Sequence, residues 1–321
     1  HVGATEGRRR NTARRTQRSR RSRPVRFALI AVSTLRLATR SSLQARTQSE
    51  FVAGQLRSSG IAVELVFVDT TGDRRQDVPL HTIGGQGVFV KEVQNAVLEG
   101  RADFAVHSAK DLPSTPTDGL AIAAIGARRD PRDVLVGRTL SALAPGATVA
   151  TGSVRRRAQL SRLRPDLRFV ELRGNIPTRL EKIPSDGSIV MAAAALEVLG
   201  WSDRITEHMS IDDMIPAVGQ GCVAVECRLD DARTREALSV VDHATSHRSV
   251  AIERAFLAEL GSGCSLPVGA HDDGNSLRAY LASDDGGEHH FGRLTTEALT
   301  IEAALAGARD LARAAKAAVG G

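Results

Sequence analysis

The chain has 321 residues, 42% hydrophobic and 25% charged, a length that supports two or three cores of about 150 residues each and excludes a small peptide scaffold. Aromatic residues are 3% of the total, with one Trp and one Tyr, which argues against a nucleic-acid platform of stacked rings, and no apolar run nears the roughly 20 residues of a membrane helix. The net charge of +6 is uneven: residues 1–26 hold ten Arg and one Glu and carry +9, leaving −3 for the remainder.

That basic arm is rich in Arg, Ser and Thr and poor in apolar residues, a composition that stays disordered. It is compatible with nucleic-acid binding, with an organelle transit peptide, or with translation from upstream of the true start. Because the chain opens at His1 without a Met, we read the arm as dispensable. The apolar stretch 27–32 is shorter than the core of an export signal, so export is not expected.

After the arm, 35–39 reads as a short strand, 43–56 as a helix and 61–69 as a second strand. A loop at 70–87, rich in Gly and charge, has the length of a lid or binding loop. Phe89, Val90, Val93, Ala96 and Val97 mark a helix closed by Gly100, and 102–107 a strand that runs into the turn 107–113. This alternation predicts an α/β domain with a largely parallel sheet and a ligand at the strand ends. A second series follows Asp130-Pro131-Arg132-Asp133, with strands at 134–136, 148–150, 169–172 and 188–192 and helices at 153–163 and 178–183. Two such lobes place their ligand in the cleft between them. The segment 222–227 alternates like a strand returning to the first lobe. From Ala244 the pattern changes to a helix ending at Gly261, a loop with Cys264, a hairpin turning at Asp285 and Gly286, and an Ala-rich helix, together a small α+β domain.

Three segments carry chemistry. Arg155, Arg156 and Arg157 follow Ser153 in the first turn of a predicted helix, where each cation opposes the helix dipole at a cost of a few tenths to about 1 kcal/mol. An anion in front of the turn would account for them. Arg173, ahead of Gly174 and Asn175, and Arg179 repeat the theme, and arginine suits bidentate recognition of carboxylates or phosphates. The same residues also read as a solvated basic face. Ser108, Lys110 and Asp111 directly follow a strand, where the carboxylate suits acid–base work or stabilisation of a cation, or is a plain turn Asp. Gly84, Gly85, Gln86 and Gly87 lack the dinucleotide fingerprint and the Walker lysine, which leaves a mobile flap. Cys264, after Gly263 in a glycine-containing loop, is expected to be more accessible than a strand thiol and is a candidate nucleophile or an incidental loop cysteine, whereas Cys222 and Cys227 on an apolar strand read as inert core residues. An odd cysteine count without CxxC spacing gives neither a disulfide framework nor a zinc knuckle, and fits a reducing cytosol. His243 and His247 share a helix face without an acidic motif, and no metal site is expected.

Taken in order, these segments resemble the porphobilinogen deaminases, also called hydroxymethylbilane synthases. The stretches that carry the likeness are Ala38-Thr39-Arg40-Ser41-Ser42, Gly87-Val88-Phe89-Val90-Lys91-Glu92, His107-Ser108-Ala109-Lys110-Asp111-Leu112-Pro113 and Asp130-Pro131-Arg132-Asp133. They continue with Ser153-Val154-Arg155-Arg156, Leu172-Arg173-Gly174-Asn175, Thr178-Arg179-Leu180, Ala217-Val218-Gly219-Gln220-Gly221 and Gly263-Cys264. The resemblance implies two doubly wound α/β lobes like those of periplasmic binding proteins, plus the small α+β domain. It divides the chain into an arm (1–34), domain 1 (35–126 with 222–240), domain 2 (131–215) and domain 3 (244–321), with hinge crossings near 126–130 and 216–221.

The chemistry it implies is head-to-tail condensation of four porphobilinogen units, each losing ammonia, on a dipyrromethane cofactor held by a thioether at Cys264, with hydrolytic release of hydroxymethylbilane. By position, Asp111 is catalytic. Arg155, Arg156, Ser153, Thr151, Ser108 and Lys110 hold the cofactor, while Arg40, Ser42, Lys91, Arg173 and Arg179 hold substrate, with Gln220 and Gly221 on the cleft floor. A cytoplasmic monomer that binds neither membrane nor nucleic acid is expected. Gln86, Ala109, Gly152, Pro177 and Ala195 depart from the residues usual in the family. The alternatives from other classes are a non-enzymatic two-lobed binder of small anions, which needs neither Cys264 nor Asp111, and a nucleic-acid binder working through the arm.

Overall fold

The computed structural model describes residues 34–70, 90–261, 266–283 and 286–320, together with His1 and Gly3. The flap at 84–87, most of the loop expected at 70–87, Phe89, Cys264 with its neighbours, Asp285 and nearly all of the arm lie outside the described residues. The fold and the site belong to the unit Ser33–Gly321.

Three sheets organise it. The first has the order β2-β1-β3-β10-β4, built from β1 (Leu35–Thr39), β2 (Val63–Phe67), β3 (Phe104–Ser108), β4 (Leu120–Ile125) and β10 (Val223–Arg228). The second has the order β7-β6-β8-β5-β9, from β5 (Asp133–Val136), β6 (Thr148–Ala150), β7 (Arg168–Val170), β8 (Ser188–Ala192) and β9 (Glu207–His208). Each has a parallel half, β2-β1-β3 and β7-β6-β8, beside an antiparallel strand, β10 or β5. The sheets are therefore mixed rather than largely parallel. The reason lies in connectivity: β10 enters the first sheet from the second lobe, pairing with β3 and β4 against their direction.

Periodicity locates β1, β6 and β8 to the residue. It does not assign β4, because Leu-Ala-Ile-Ala-Ala-Ile is an apolar run compatible with strand or buried helix. The short strands Glu207–His208 and Val268–Asp272 and the short helices Ala193–Glu197 and Ala232–Leu238 are equally invisible to it. The helix expected at 178–183 instead spans Ile176–Leu180, since Asn175 caps it, accepting from the Thr178 amide at 3.0 Å, and Pro177 sits in its first turn.

The first sheet packs Leu37, Phe104 and Val225 against Val52, Ala53 and Leu56 of the helix Leu43–Ser58. The second buries Ile189 and Met191 on one side and Val149 and Val190 on the other. In the third, β11 (Val268–Asp272), β12 (Ser276–Ala282) and β13 (His289–Thr295) form an antiparallel sheet under the helices Ala244–Leu260 and Ile301–Ala318. Ala304, Ala308, Ala312 and Ala315 line one face of the last helix and pack into the core with Phe256, Leu277 and Ala279, so small side chains permit a close approach. Among the described residues no helix is long and apolar enough to cross a membrane.

Candidate active site

In both lobes the first parallel strand is flanked by the second and third, so loops leave the carboxyl ends in opposite directions and open a crevice there. β1 delivers Arg40, Ser41 and Ser42, and β3 delivers the turn Ala109–Asp111. From the second lobe come the helix Val154–Leu163 after β6, Arg173 to Arg179 after β7, and Ala192 and Ala195 at the end of β8. They enclose a cleft of about 1510 Å³, counting the space open to solvent. Among the described residues its wall holds five cations, Arg40, Lys110, Arg156, Arg173 and Arg179, and a single carboxylate, Asp111.

Behind the wall sits a group that sequence reasoning did not single out as functional. Asp133, fully buried at the start of β5, receives Arg155 at 2.6 Å through Oδ2 and Arg156 at 2.9 Å through Oδ1. Gln220 Nε2 also donates to Oδ1, at 3.0 Å. Burial would push the Asp133 carboxyl up, but the two guanidinium charges and the hydrogen bonds from Arg155 and Gln220 outweigh it and hold the group well below the usual carboxylate range. Only the tertiary fold brings this carboxylate to the helix start; its sole signal in the sequence was its place in the Asp130–Asp133 stretch.

The three arginines do not share a face. Consecutive helical residues point about 100° apart, so Arg155 turns inward, also donating to the Ile215 carbonyl at 2.7 Å, Arg156 reaches both Asp133 and the cleft, and Arg157 is exposed. Ser153 is the N-cap, accepting from the Arg156 amide at 3.4 Å, and Thr151 is buried with its hydroxyl accepting from the Ser153 amide at 3.2 Å. These two order the helix start and do not line the cleft. Gly152, where serine is usual in the resembling family, has no room for one: a Cβ would lie 2.9 Å from the Leu172 carbonyl oxygen and 2.7 Å from Glu171 Oε1.

Asp111 is exposed at the end of a single 3-10 turn, with no core role. Lys110, beside it, donates to Gln220 Oε1 at 3.4 Å, and burial, reinforced by the nearby Arg156 charge, pushes its ammonium down to about 8. Burial likewise pushes Arg179 down to about 10, with Arg156 and Arg173 adding to it, which leaves it charged at neutral pH. Arg179 Nε donates to the Gly174 carbonyl at 2.8 Å.

The remaining candidates scatter. Ser108 borders a neighbouring hollow of about 420 Å³, again counting the space open to solvent, that shares Arg40, Ser42, Gln44 and Asp111 with the cleft. Lys91 is exposed at the start of the helix Lys91–Leu98 and does not line the cleft. Gln220 is buried behind the wall, and Gly221 faces a separate hollow with Phe51 and Val198, so neither forms part of the wall. Cys222 and Cys227 are buried, and burial pushes their thiols up to about 12 and about 11, so neither is a thiolate near neutral pH. His243 caps the helix Ala244–Leu260, and His247 pairs with Asp242 at 2.7 Å.

Fold and site together define a two-lobed α/β protein with a cationic cleft, suited to a ligand bearing several carboxylates and set against one carboxylate of its own. Residues 35–236 match the family described as "Porphobilinogen deaminase, dipyromethane cofactor binding domain", and residues 247–317 match "Porphobilinogen deaminase, C-terminal domain". Porphobilinogen deaminase from Geobacter sulfurreducens is 42% identical over 267 residues, covering 80% of this chain and 84% of the relative. The enzyme of that name from Trichlorobacter lovleyi is 43% identical over 80% of this chain and 86% of its own length, and that from Acidothermus cellulolyticus 49% identical over 75% of each. The chain belongs to the porphobilinogen deaminase family.

Proposed function

We infer that the protein is a porphobilinogen deaminase of tetrapyrrole biosynthesis, a transferase that condenses four porphobilinogen units head to tail with loss of ammonia and releases hydroxymethylbilane by hydrolysis. The observation that carries this reading is the wall of the cleft: five cations and one carboxylate around a volume large enough for a chain of small rings. A dipyrromethane bears acetate and propionate groups, and the donor set of Arg40, Ser42, Lys110, Arg156, Arg173 and Arg179 fits several carboxylates at once. When bound, that cofactor supplies the primer pyrrole to which porphobilinogen is joined.

The residues divide the work by position. Arg156, anchored by Asp133, and Lys110, oriented by Gln220, grip cofactor carboxylates. Arg155 supports Arg156 from behind through the same Asp133, and Ser153, Thr151 and Ser108 order the surrounding backbone and rim. Arg40, Ser42, Arg173 and Arg179 hold the carboxylates of incoming substrate and the growing chain. Asp111 stabilises the positive charge that passes to a pyrrole nitrogen when ammonia leaves porphobilinogen, and accepts protons in the condensation. Cys264 is the attachment point; support comes from the buried, protonated state of Cys222 and Cys227. We assign domains at 35–126 with 222–240, 131–215 and 244–321, supported by the return of β10 to the first sheet, and a monomeric, cytoplasmic enzyme.

An intact mass spectrum with a turnover assay tests the reading. The expected mass exceeds that of the chain by two porphobilinogen units less their ammonia, with the adduct on the Cys264 peptide and normal loading of Cys222→Ser. An unmodified, fully active chain would contradict the attachment, and a chain without turnover the activity.

A further inference from the structure

The segment 217–222 connects the second sheet back to the first, and it touches the Ala109–Asp111 turn, the Asp133 cluster and the helix Ala244–Leu260 together. It folds into two turns, with the Gln220 amide donating to the Ala217 carbonyl at 2.9 Å and the Cys222 amide to the Gly219 carbonyl at 3.1 Å. The Ala109 amide donates to the Cys222 carbonyl at 3.0 Å, so the 109–111 turn rests on it. Between these contacts Gly219, at φ +71°, lies flush against the turn: a Cβ there would stand 2.9 Å from Ala109 Cβ, 3.1 Å from the Ala109 carbonyl carbon and 3.2 Å from the Lys110 nitrogen. On its other side the Gly219 amide donates to Glu253 Oε2 at 2.7 Å. Glu253 is fully buried, and its second oxygen accepts from Arg128 Nη2 at 2.7 Å and from the Asp272 amide at 2.9 Å.

We propose that Gly219 is a positioning residue for the reaction, a spacer clamped by Glu253 of the helix Ala244–Leu260 whose bare α-carbon sets the height of the Asp111 turn in the cleft. The inference rests on the assignment of Asp111 as the reacting carboxylate. Lys110 and Asp111 are the next two residues after the contact, so a turn forced outward at Ala109 carries both with it. Displacement of a reacting group by about 1 Å costs on the order of a hundredfold in rate, whereas Arg40, Arg173 and Arg179, which hold substrate from other elements of the cleft wall, keep their places. The predicted defect is therefore one of kcat rather than of substrate binding.

The test compares Gly219→Ala with Gly146→Ala in the full-length protein. Gly146 has a similar φ of +76° but open space where its Cβ would go, so it carries the backbone strain without the collision. Turnover, KM for porphobilinogen, cofactor mass and Tm are measured for both. Gly219→Ala should lose tenfold to a hundredfold in kcat with KM within about twofold of wild type and cofactor still attached, while Gly146→Ala keeps its kcat. Adding Ala109→Gly to Gly219→Ala removes the nearest contact and should restore a large part of the lost kcat. Should Gly219→Ala fail to fold, Ala109→Val presses on the same contact from the facing side and should lower kcat alike. A wild-type kcat in Gly219→Ala, a double variant no faster than the single, or an unimpaired Ala109→Val would overturn the proposal. A wild-type protein with neither turnover nor cofactor would instead contradict the assigned function.

Discussion

Two carboxylates in and behind this cleft have opposite surroundings and opposite tasks. Asp111 is exposed on a short turn and packs no core, so Asp111→Asn should leave Tm within a degree or two of wild type while turnover falls on the order of a hundredfold or more. Asp111→Glu, which keeps the charge in a displaced position, should retain part of the activity. Turnover and thermal unfolding on both variants check this, and an unfolded Asn variant would make the residue structural. Lys110 carries a prediction in pH. Its ammonium, pushed down to about 8 from an ordinary 10.5, is a full cation below pH 8 and neutral well above it. Its hold on the cofactor carboxylates should weaken as pH rises through 8, seen as a fall in kcat that Lys110→Arg shifts to higher pH. The sign for stability is the reverse: between pH 8 and 10.5 the unfolded chain binds more protons, so the burial penalty, full below pH 8, is relieved as pH rises across that window.

The helix Val154–Leu163 shows what a pattern of charges conveys at the level of an element. Three cations in a first turn imply a nearby anion, and part of that anion is the chain's own Asp133 at the start of β5. The strand and the helix are thus joined by a buried ion cluster, and removing its single negative charge strands two buried guanidinium groups. Asp133→Asn should cost about 3–5 kcal/mol of stability, by the usual size of a broken buried pair, and yield a poorly loaded protein. Denaturant unfolding and intact mass measure the two effects, and normal loading at near-wild-type stability would show that the carbonyls of Ile215 and Val190 suffice to hold the arginines.

For the molecule as a whole, the lobes and the third sheet meet through the 126–130 and 217–222 segments. The Arg129 amide donates to the Gly221 carbonyl at 2.9 Å, Arg128 Nη1 to the Gln220 carbonyl at 2.9 Å, and Glu253 ties both segments to the third sheet. The arm 1–26 is polar, lacks a core pattern and precedes β1. Deleting 1–26 should therefore leave kcat, cofactor loading and Tm unchanged, as steady-state kinetics and a melting curve on the truncated chain would show; loss of activity would mean that the arm contributes to the fold or the site.

The sequence by itself determined the lobes, the return of a strand near 222–227, the Ala-rich last helix and the residue types of the cleft. These follow from local periodicity, from turn residues and from ordered motifs such as Ser108 to Asp111 and Arg173 to Arg179. The tertiary structure alone decided which cations face the cleft and which face inward, because adjacent helical residues diverge by about 100° and their partners lie far along the chain: Asp133 is 22 residues from Arg155 and 87 from Gln220. It also decided the antiparallel strands and the strand character of 120–125, since an apolar run has no period to read and a strand's direction depends on the end from which the chain enters the sheet. The reach of Gly219 to the Asp111 turn is of the same kind, a contact between backbones 110 residues apart that no spacing in the sequence encodes.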